Sequence, residues 1–335
     1  MTPMERMTRR LSGQQVDRPP NFDIMMTLAV HHIGERLSRY YLDHRVLCAA
    51  NMAMLEDFSL DIVQAISDPY REAADWGAAV DFPEDGLPVC KTPLVADAAA
   101  IGRLKTPDPR TARRMSDRLE AIRRFRAEVG GTVPIMGWVE GALAEAADLM
   151  GVSNLLLAVV DDPEGVTELL ERCTEVEIAF AEAQVEAGAD IIGLGDAVAS
   201  QVSPRMYARY ALPYERRIFA AVRERGAIAR LHICGDITGL LPRIGETGAQ
   251  IVDLDWMVDM DAARAAVGDI ALCGNVDPVA VMLQGSPTEV YAATQACAKG
   301  LGPHWISAAG CEIPDGTPRP NLHAQTRALA DLGSS

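Results

Sequence analysis

The sequence predicts an α/β fold of the (β/α)8 TIM-barrel class, with a short insertion after the second strand. Three observations predict it. Short apolar runs rich in β-branched residues alternate with longer amphipathic stretches, the rhythm of parallel strands joined by crossover helices. Eight such runs occur, the number a closed barrel needs. Residues able to do chemistry gather at the C-terminal ends of those runs, where barrel enzymes keep their sites. A doubly wound open sheet is the rival, but no glycine-rich phosphate turn follows the first run.

In chain order the expected strands cover residues 21–27, 60–66, 133–139, 190–196, 227–233, 250–255, 270–275 and 305–309. Between them lie helical patterns. "TARRMSDRLEAIRRFRAEVG" has one charged and one apolar face. "DPEGVTELLERCTEVEIAFAEAQVEAGA" opens on an Asp cap, carries proline in its first turn and closes at glycine. "SPRMYARYALPYERRIFAAVRERG" contains Pro213, which is expected to kink or split it. "DITGLLPRIGETG" and "SPTEVYAATQACAKG" repeat the same start and stop signals. The turn-rich stretch 69–97 breaks the alternation and reads as the insertion, a hairpin. With no linker or internal repeat, 1–335 reads as one domain.

Bulk properties narrow the function classes. The 335 residues are 49% apolar and 23% charged, a globular balance. The first twenty or so residues hold no apolar core segment, so no secretory signal is expected. No apolar run of about 18 residues exists, so no membrane span is expected. A formal charge of -16 argues against nucleic acid as a partner. The seven cysteines are an odd number in a large chain, which points to a reducing cytoplasm rather than a disulfide framework. Cys48, Cys173 and Cys297 fall in helical patterns and read as small buried hydrophobes.

The strand ends hold the candidates. Run one ends at Met25, Met26 and Thr27, run three at Trp138 and Glu140, and run four at Asp196. Run five ends "LHICGD", run six at Asp253, Asp255 and Trp256, run seven at Asn275, and run eight at Cys311 and Glu312. On a strand, residues i and i+2 point the same way, so His232 and Cys234 converge. Taking runs five and eight as neighbours at one mouth brings Cys311 to the same point. Three N/S donors with a fourth position open is the pattern of a catalytic zinc. An isolated H-x-C is more often packing; the barrel frame and the glycine-flanked Cys311 favour the metal. Glu140 is the candidate fourth ligand or a substrate-facing carboxylate. Asp196 and Asp255 read as mouth carboxylates that bind substrate, orient His232 or cap helices. His31 and His32 read as exposed, and His304 as lying at the opposite, stability face.

"LHICGDITGLLPRIGETGAQIVDLDW", "LCGNVDPVAVMLQGSPTEV" and "ISAAGCEIPDGTPRPNLHAQTRAL" resemble the uroporphyrinogen decarboxylase superfamily, most densely from residue 190 onward. The resemblance implies a TIM barrel and leaves two chemistries. One is the metal-free decarboxylation of uroporphyrinogen. The other is corrinoid-linked methyl transfer, whose H-x-C-x(n)-C zinc signature maps onto His232, Cys234 and Cys311, with 76 residues between the cysteines. The decarboxylases carry an Arg-containing "RQAGR"-like stretch after the first strand; here the stretch is "NFDIMMTLAVHHIG", with no arginine before Arg36. Their "GxPFT"-like segment is replaced by "GWVEGALAEAADLMG".

The resemblance therefore implies a zinc-dependent methyltransferase. It would move methyl between the cobalt of a separate corrinoid-binding protein and a small methylated substrate, such as a methoxyaromatic ether, or a thiol. The chain has no D-x-H-x-x-G cobalamin segment of its own. On this reading Glu140, Asp196 and Asp255 are catalytic, and Met25, Trp138, Trp256 and Asn275 contact substrate. The O-demethylase type is preferred to the coenzyme M type. The alternatives are a metal-independent decarboxylase with Asp196 or Asp255 near the pyrrole nitrogens, and a non-catalytic zinc-stabilised barrel.

Overall fold

The structure is a computed structural model describing residues 1–333. Its strands are β1 (Val63–Gln64), β2 (Val80–Asp81), β3 (Val89–Cys90), β4 (Ile135–Glu140), β5 (Ile191–Gly195), β6 (Ile228–His232), β7 (Ile251–Asp253), β8 (Ala271–Cys273) and β9 (Trp305–Ile306). Seven of them form one parallel sheet in the order β1-β4-β5-β6-β7-β8-β9. Helices lie between successive strands of this sheet, as the crossovers between parallel strands require.

The expected first strand, 21–27, shrinks to one parallel bridge between Asn21 and Ser307. That bridge curls the sheet toward closure. The Phe22 N–H donates to the Ser307 carbonyl (2.8 Å) and the Ser307 N–H to the Pro20 carbonyl (2.9 Å), while the Asp61 N–H donates to the Asn21 carbonyl (2.9 Å). The segment thus stands between β9 and the approach to β1. It is short because Pro19 and Pro20 bring no N–H to a ladder and because Thr27 already opens the helix Thr27–His32. The seam is pinned by Asp61, fully buried, which takes Arg18 at 2.6 Å, Arg6 at 2.9 Å and the Asn21 N–H at 2.8 Å.

The expected insertion is the antiparallel hairpin β2–β3, with Val80 opposite Cys90. Pro213 splits its helix as expected: Pro204–Tyr210 and Leu212–Glu224 meet at Ala211, leaving the proline in the first turn of the second piece. Most strands are shorter than their apolar runs, because the last residues bend outward into the loops that build the mouth.

Two apolar layers result. Phe22, Met136, Trp138, Ile191, Ile251 and Ile306 fill the barrel interior, and the outward faces of the strands pack against the helices. Trp138 lies flat across β5 because Gly193 and Gly195 leave room; a Cβ there would stand 2.4 and 2.8 Å from its ring. Among the described residues, no single helix is long and apolar enough to cross a membrane.

Candidate metal centre

Along β6 the side chains alternate. Leu231 and Ile233 face the helix layer, and Arg230 and His232 face the interior. Cys234 continues the inward register. Gly235 then takes φ 91°, a turn that a side chain resists, and its N–H donates to Asp255 Oδ2 at 2.7 Å. Cys311 arrives on the loop after β9, behind Gly310, where a Cβ would stand 2.4 Å from the Trp256 nitrogen.

The expectation that runs five and eight are neighbours is corrected: β7 and β8 stand between β6 and β9. Cys311 reaches across the mouth from its loop instead. His232 Nε2 lies 3.1 Å from Cys234 Sγ, the two sulfurs are 3.6 Å apart, and Cys311 Sγ lies 3.8 Å from His232 Nε2. Tetrahedral zinc, with bonds of about 2.3 Å to sulfur and 2.0–2.1 Å to nitrogen, sets its donors roughly 3.5–3.8 Å apart. The triangle fits zinc to within a few tenths of an ångström. Among the described residues it is the group of His, Cys, Asp and Glu donors that closes within 4.8 Å.

His232 is oriented from behind. Its Nδ1 is 3.0 Å from Asp253 Oδ2, and Arg230 Nε donates to the other oxygen at 2.8 Å. Burial pushes the Asp253 carboxyl up, but the Arg230 charge and the His232 hydrogen bond outweigh it and hold the group below its usual range. Burial opposes charge on His232 too, yet the neighbouring Cys234 and Asp253 raise its pKa well above the ordinary value. The hydrogen bond from Cys234, with those from the imidazole, brings the Cys311 thiol down to about 4 despite burial. Thiolate is the form that binds metal.

A cavity of about 160 Å³ opens in front of this triangle. Trp138 and Glu140 line it. The Trp138 ring centroid is 5.9 Å from that of His232, and its Nε1–H donates to Glu140 Oε1 at 3.1 Å. Glu140 also faces Arg71 at 3.7 Å. Burial, reinforced by Glu72, pushes the Glu140 carboxyl well above its ordinary range. Its carboxylate stays outside the 4.8 Å donor cluster, so it stands as a wall of the cavity.

Five predicted residues, Met25, Asp196, Asp255, Trp256 and Asn275, lie outside this lining. Met25 is buried in the core, and by strand alternation Met26 lines the cavity in its place. Asp196 is fully buried on the outer side of β5, against Gly141, where a Cβ would stand 2.5 Å from its carboxyl carbon. Gly195 and Ala197, one residue to each side, face the cavity. Trp256 and Asn275 line a separate groove of about 430 Å³. The Asn275 amide donates to the carbonyls of Asp255 (3.0 Å) and Val258 (2.8 Å), bracing that loop. Asp255 is a brace as well: it accepts from Gly235 and Trp256 N–H groups, each at 2.7 Å, and fixes the turn after Cys234. A larger groove, about 500 Å³, lies against the helix Val152–Asp161 and holds no histidine or cysteine.

Sequence reasoning missed Asp68; it placed Met26, Asp253 and Glu312 at the strand ends but gave Asp253 and Glu312 no role there. Asp253 stood in the same run as Asp255, and only the β6–β7 register, which sets His232 beside Asp253, tells them apart. Glu312 directly follows Cys311, lines the cavity and accepts from the N–H groups of Met26 (3.3 Å) and Thr27 (2.8 Å), capping that helix.

Residues 2–332 match the uroporphyrinogen decarboxylase (URO-D) family. Among curated relatives, methylcobamide:CoM methyltransferase MtbA of Methanosarcina mazei is 30% identical over 333 residues, spanning 96% of this chain and 95% of that protein. A protein named uroporphyrinogen decarboxylase from Xanthomonas oryzae pv. oryzae is 32% identical over 322 residues, 89% of each. The fold is that of a solved methyltransferase from Methanosarcina mazei, with TM-score 0.91 at 23% identity over 100% of both chains. A B12-independent methionine synthase from Shewanella shares it more loosely, with TM-score 0.59 at 15% identity over 86% of this chain and 87% of that one. Matched over nearly its whole length, the chain belongs to the uroporphyrinogen decarboxylase (URO-D) family.

Proposed function

We propose that this chain is a zinc-dependent methyltransferase that moves a methyl group between a small substrate and the cobalt of a separate corrinoid-binding protein. One observation carries the reading: His232, Cys234 and Cys311 form a triangle of donor atoms 3.1–3.8 Å on a side at the barrel mouth, with Asp253 behind the histidine. Buried structural cysteines need no such convergence, and the decarboxylase chemistry uses none.

His232, Cys234 and Cys311 would hold the ion. Bound there, zinc supplies the positive charge that lowers the pKa of a substrate thiol or stabilises the heteroatom that gives up methyl. The chain's own residues do the rest. Asp253 accepts the Nδ1 proton of His232 and so keeps the Nε2 lone pair toward the two sulfurs. Arg230 fixes Asp253. Asp255 fixes the Gly235 turn and with it the aim of Cys234. Trp138 closes one wall and holds Glu140 in place, leaving the Glu140 carboxyl on the cavity surface.

The cavity's size supports methyl transfer over decarboxylation of a tetrapyrrole. Pockets for drug-sized ligands hold roughly 300–1,000 Å³, and this one holds about 160 Å³. The name of the MtbA relative supports the same choice.

Metal content by mass spectrometry, on wild type and Cys311→Ser in parallel, tests the reading. About one zinc per chain is expected in wild type, lost from the variant with its circular dichroism unchanged. Loss of methylcobalamin demethylation should accompany it. Zinc-free wild type that is still active would sink the proposal.

A further inference from the structure

We infer that the cavity takes a small uncharged or cationic methyl donor or acceptor and turns anions away. The inference rests on the methyl-transfer reading above and adds a substrate class to it.

The lining contains no lysine or arginine. It does contain three carboxylic side chains, Asp68, Glu140 and Glu312. The arginines behind the walls are already committed. Arg114 meets Asp68 at 2.5 Å, and Arg230 meets Asp253 at 2.8 Å. Arg71, fully buried and not part of the lining, is shared between Glu72 at 2.6 Å and Glu140 at 3.7 Å. Glu312 is held by backbone N–H groups. The lining thus offers carboxyl groups and no cationic side chain, and the arginines behind it face carboxyl groups of their own.

A sulfonate or carboxylate is recognised by charged donors, most often a guanidinium fork. In this cavity it would find none and would sit beside carboxyl groups. An ammonium would find the opposite. A neutral group would find Ile24, Met26, Ile66 and the Trp138 ring, and each of these accepts a methyl-sized apolar group without a charged partner. Glu140 serves either case: protonated it can donate to a neutral oxygen, and ionised it can pair with an ammonium.

Three thiols with the same two-carbon chain separate these cases: cysteamine (cationic end), 2-mercaptoethanol (neutral) and 2-mercaptoethanesulfonate (anionic). Each is titrated into the full-length chain loaded with Co(II), and thiolate coordination is read from the charge-transfer absorption, corrected for each thiol's own ionisation. The same three are assayed as acceptors from methylcobalamin. The sulfonate is expected to bind at least about tenfold more weakly than the other two. In Glu140→Gln the gap between cysteamine and the sulfonate should narrow. Sulfonate binding as tight as that of the other two, or no coordination by any thiol, overturns the inference. The expected order of binding without methyl transfer to any thiol supports the charge rule while counting against the methyltransferase reading. A chain that takes up no Co(II) overturns both.

Discussion

His232 and Asp253 are register partners on adjacent parallel strands, and their side chains meet at 3.0 Å inside the barrel. The contact is a consequence of the sheet: pairing β6 with β7 puts a carboxylate beside the imidazole with no loop involved. Such an orienter is typically worth 10–100-fold in metal affinity. Asp253→Asn should therefore weaken zinc binding by about 10- to 100-fold, read by competition with a chelator. It should also lower stability by roughly 3–5 kcal/mol, because Arg230 is left buried without its counter-ion. Thermal unfolding of the metal-free variant separates the two effects.

Metal removal should leave the fold standing. The donors sit on a barrel whose interior and outer layers are both filled by apolar side chains, unlike small domains that fold only around their zinc. Chelation is expected to leave the far-ultraviolet circular dichroism unchanged. It should also make Cys234 and Cys311, both partly exposed, newly reactive toward a thiol reagent. Protection that returns with added zinc, and is missing in Cys311→Ser, completes the check. Unfolding on chelation would instead mark the site as structural.

How much of this was legible depends on which period each feature obeys. The eight-fold alternation and the inward pairing of His232 with Cys234 follow from strand periodicity, and both are readable in a line of sequence. Short strands whose ends bend into loops are not. Counting to the end of each apolar run put both Met25 and Met26, and Asp196, at the mouth, whereas alternation leaves the cavity to Met26 and Ala197. Asp255 and Asn275 looked like substrate ligands because polar groups at a barrel mouth do. They are spent on backbone N–H and carbonyl groups that the irregular loops leave unpaired. The sequence alone contains no register, so it cannot tell which of Asp253 and Asp255 meets His232.

The flat seat of Trp138 can be tested through the two glycines beneath it. A methyl at Gly193 would stand 2.4 Å from the ring, far inside van der Waals contact. Gly193→Ala should cost about 1–3 kcal/mol and tilt the indole away from Glu140. Trp138→Leu removes the clash at its source. The double variant should therefore be less destabilised than the sum of the two single changes, a coupling measurable by denaturant unfolding. Strict additivity would show that the glycine is not there to seat the tryptophan.

Stability should fall as pH rises from about 4.5 to 7, and Glu215 is one traceable source. It is fully buried, accepts from the Tyr207 hydroxyl at 2.6 Å and faces Asp196. Burial lifts its carboxyl from 4.5 to about 7, with the Tyr207 hydrogen bond and the neighbouring Asp196 carboxyl opposing this only in part. The folded state thus holds a proton that the unfolded chain releases near its ordinary pKa. Below that value both states are protonated and the stabilisation is fully present. Between the two values only the unfolded chain gains from ionising, so stability is lost through that window, by about 3 kcal/mol for a shift of this size. Glu145 and Glu177, also fully buried and raised by burial, act in the same direction, so wild type should melt at a higher temperature near pH 5 than near pH 8. Glu215→Gln keeps the shape without the proton equilibrium, and its melting temperature should vary less across that range. An equal slope in the variant would assign the pH dependence to the other carboxyls.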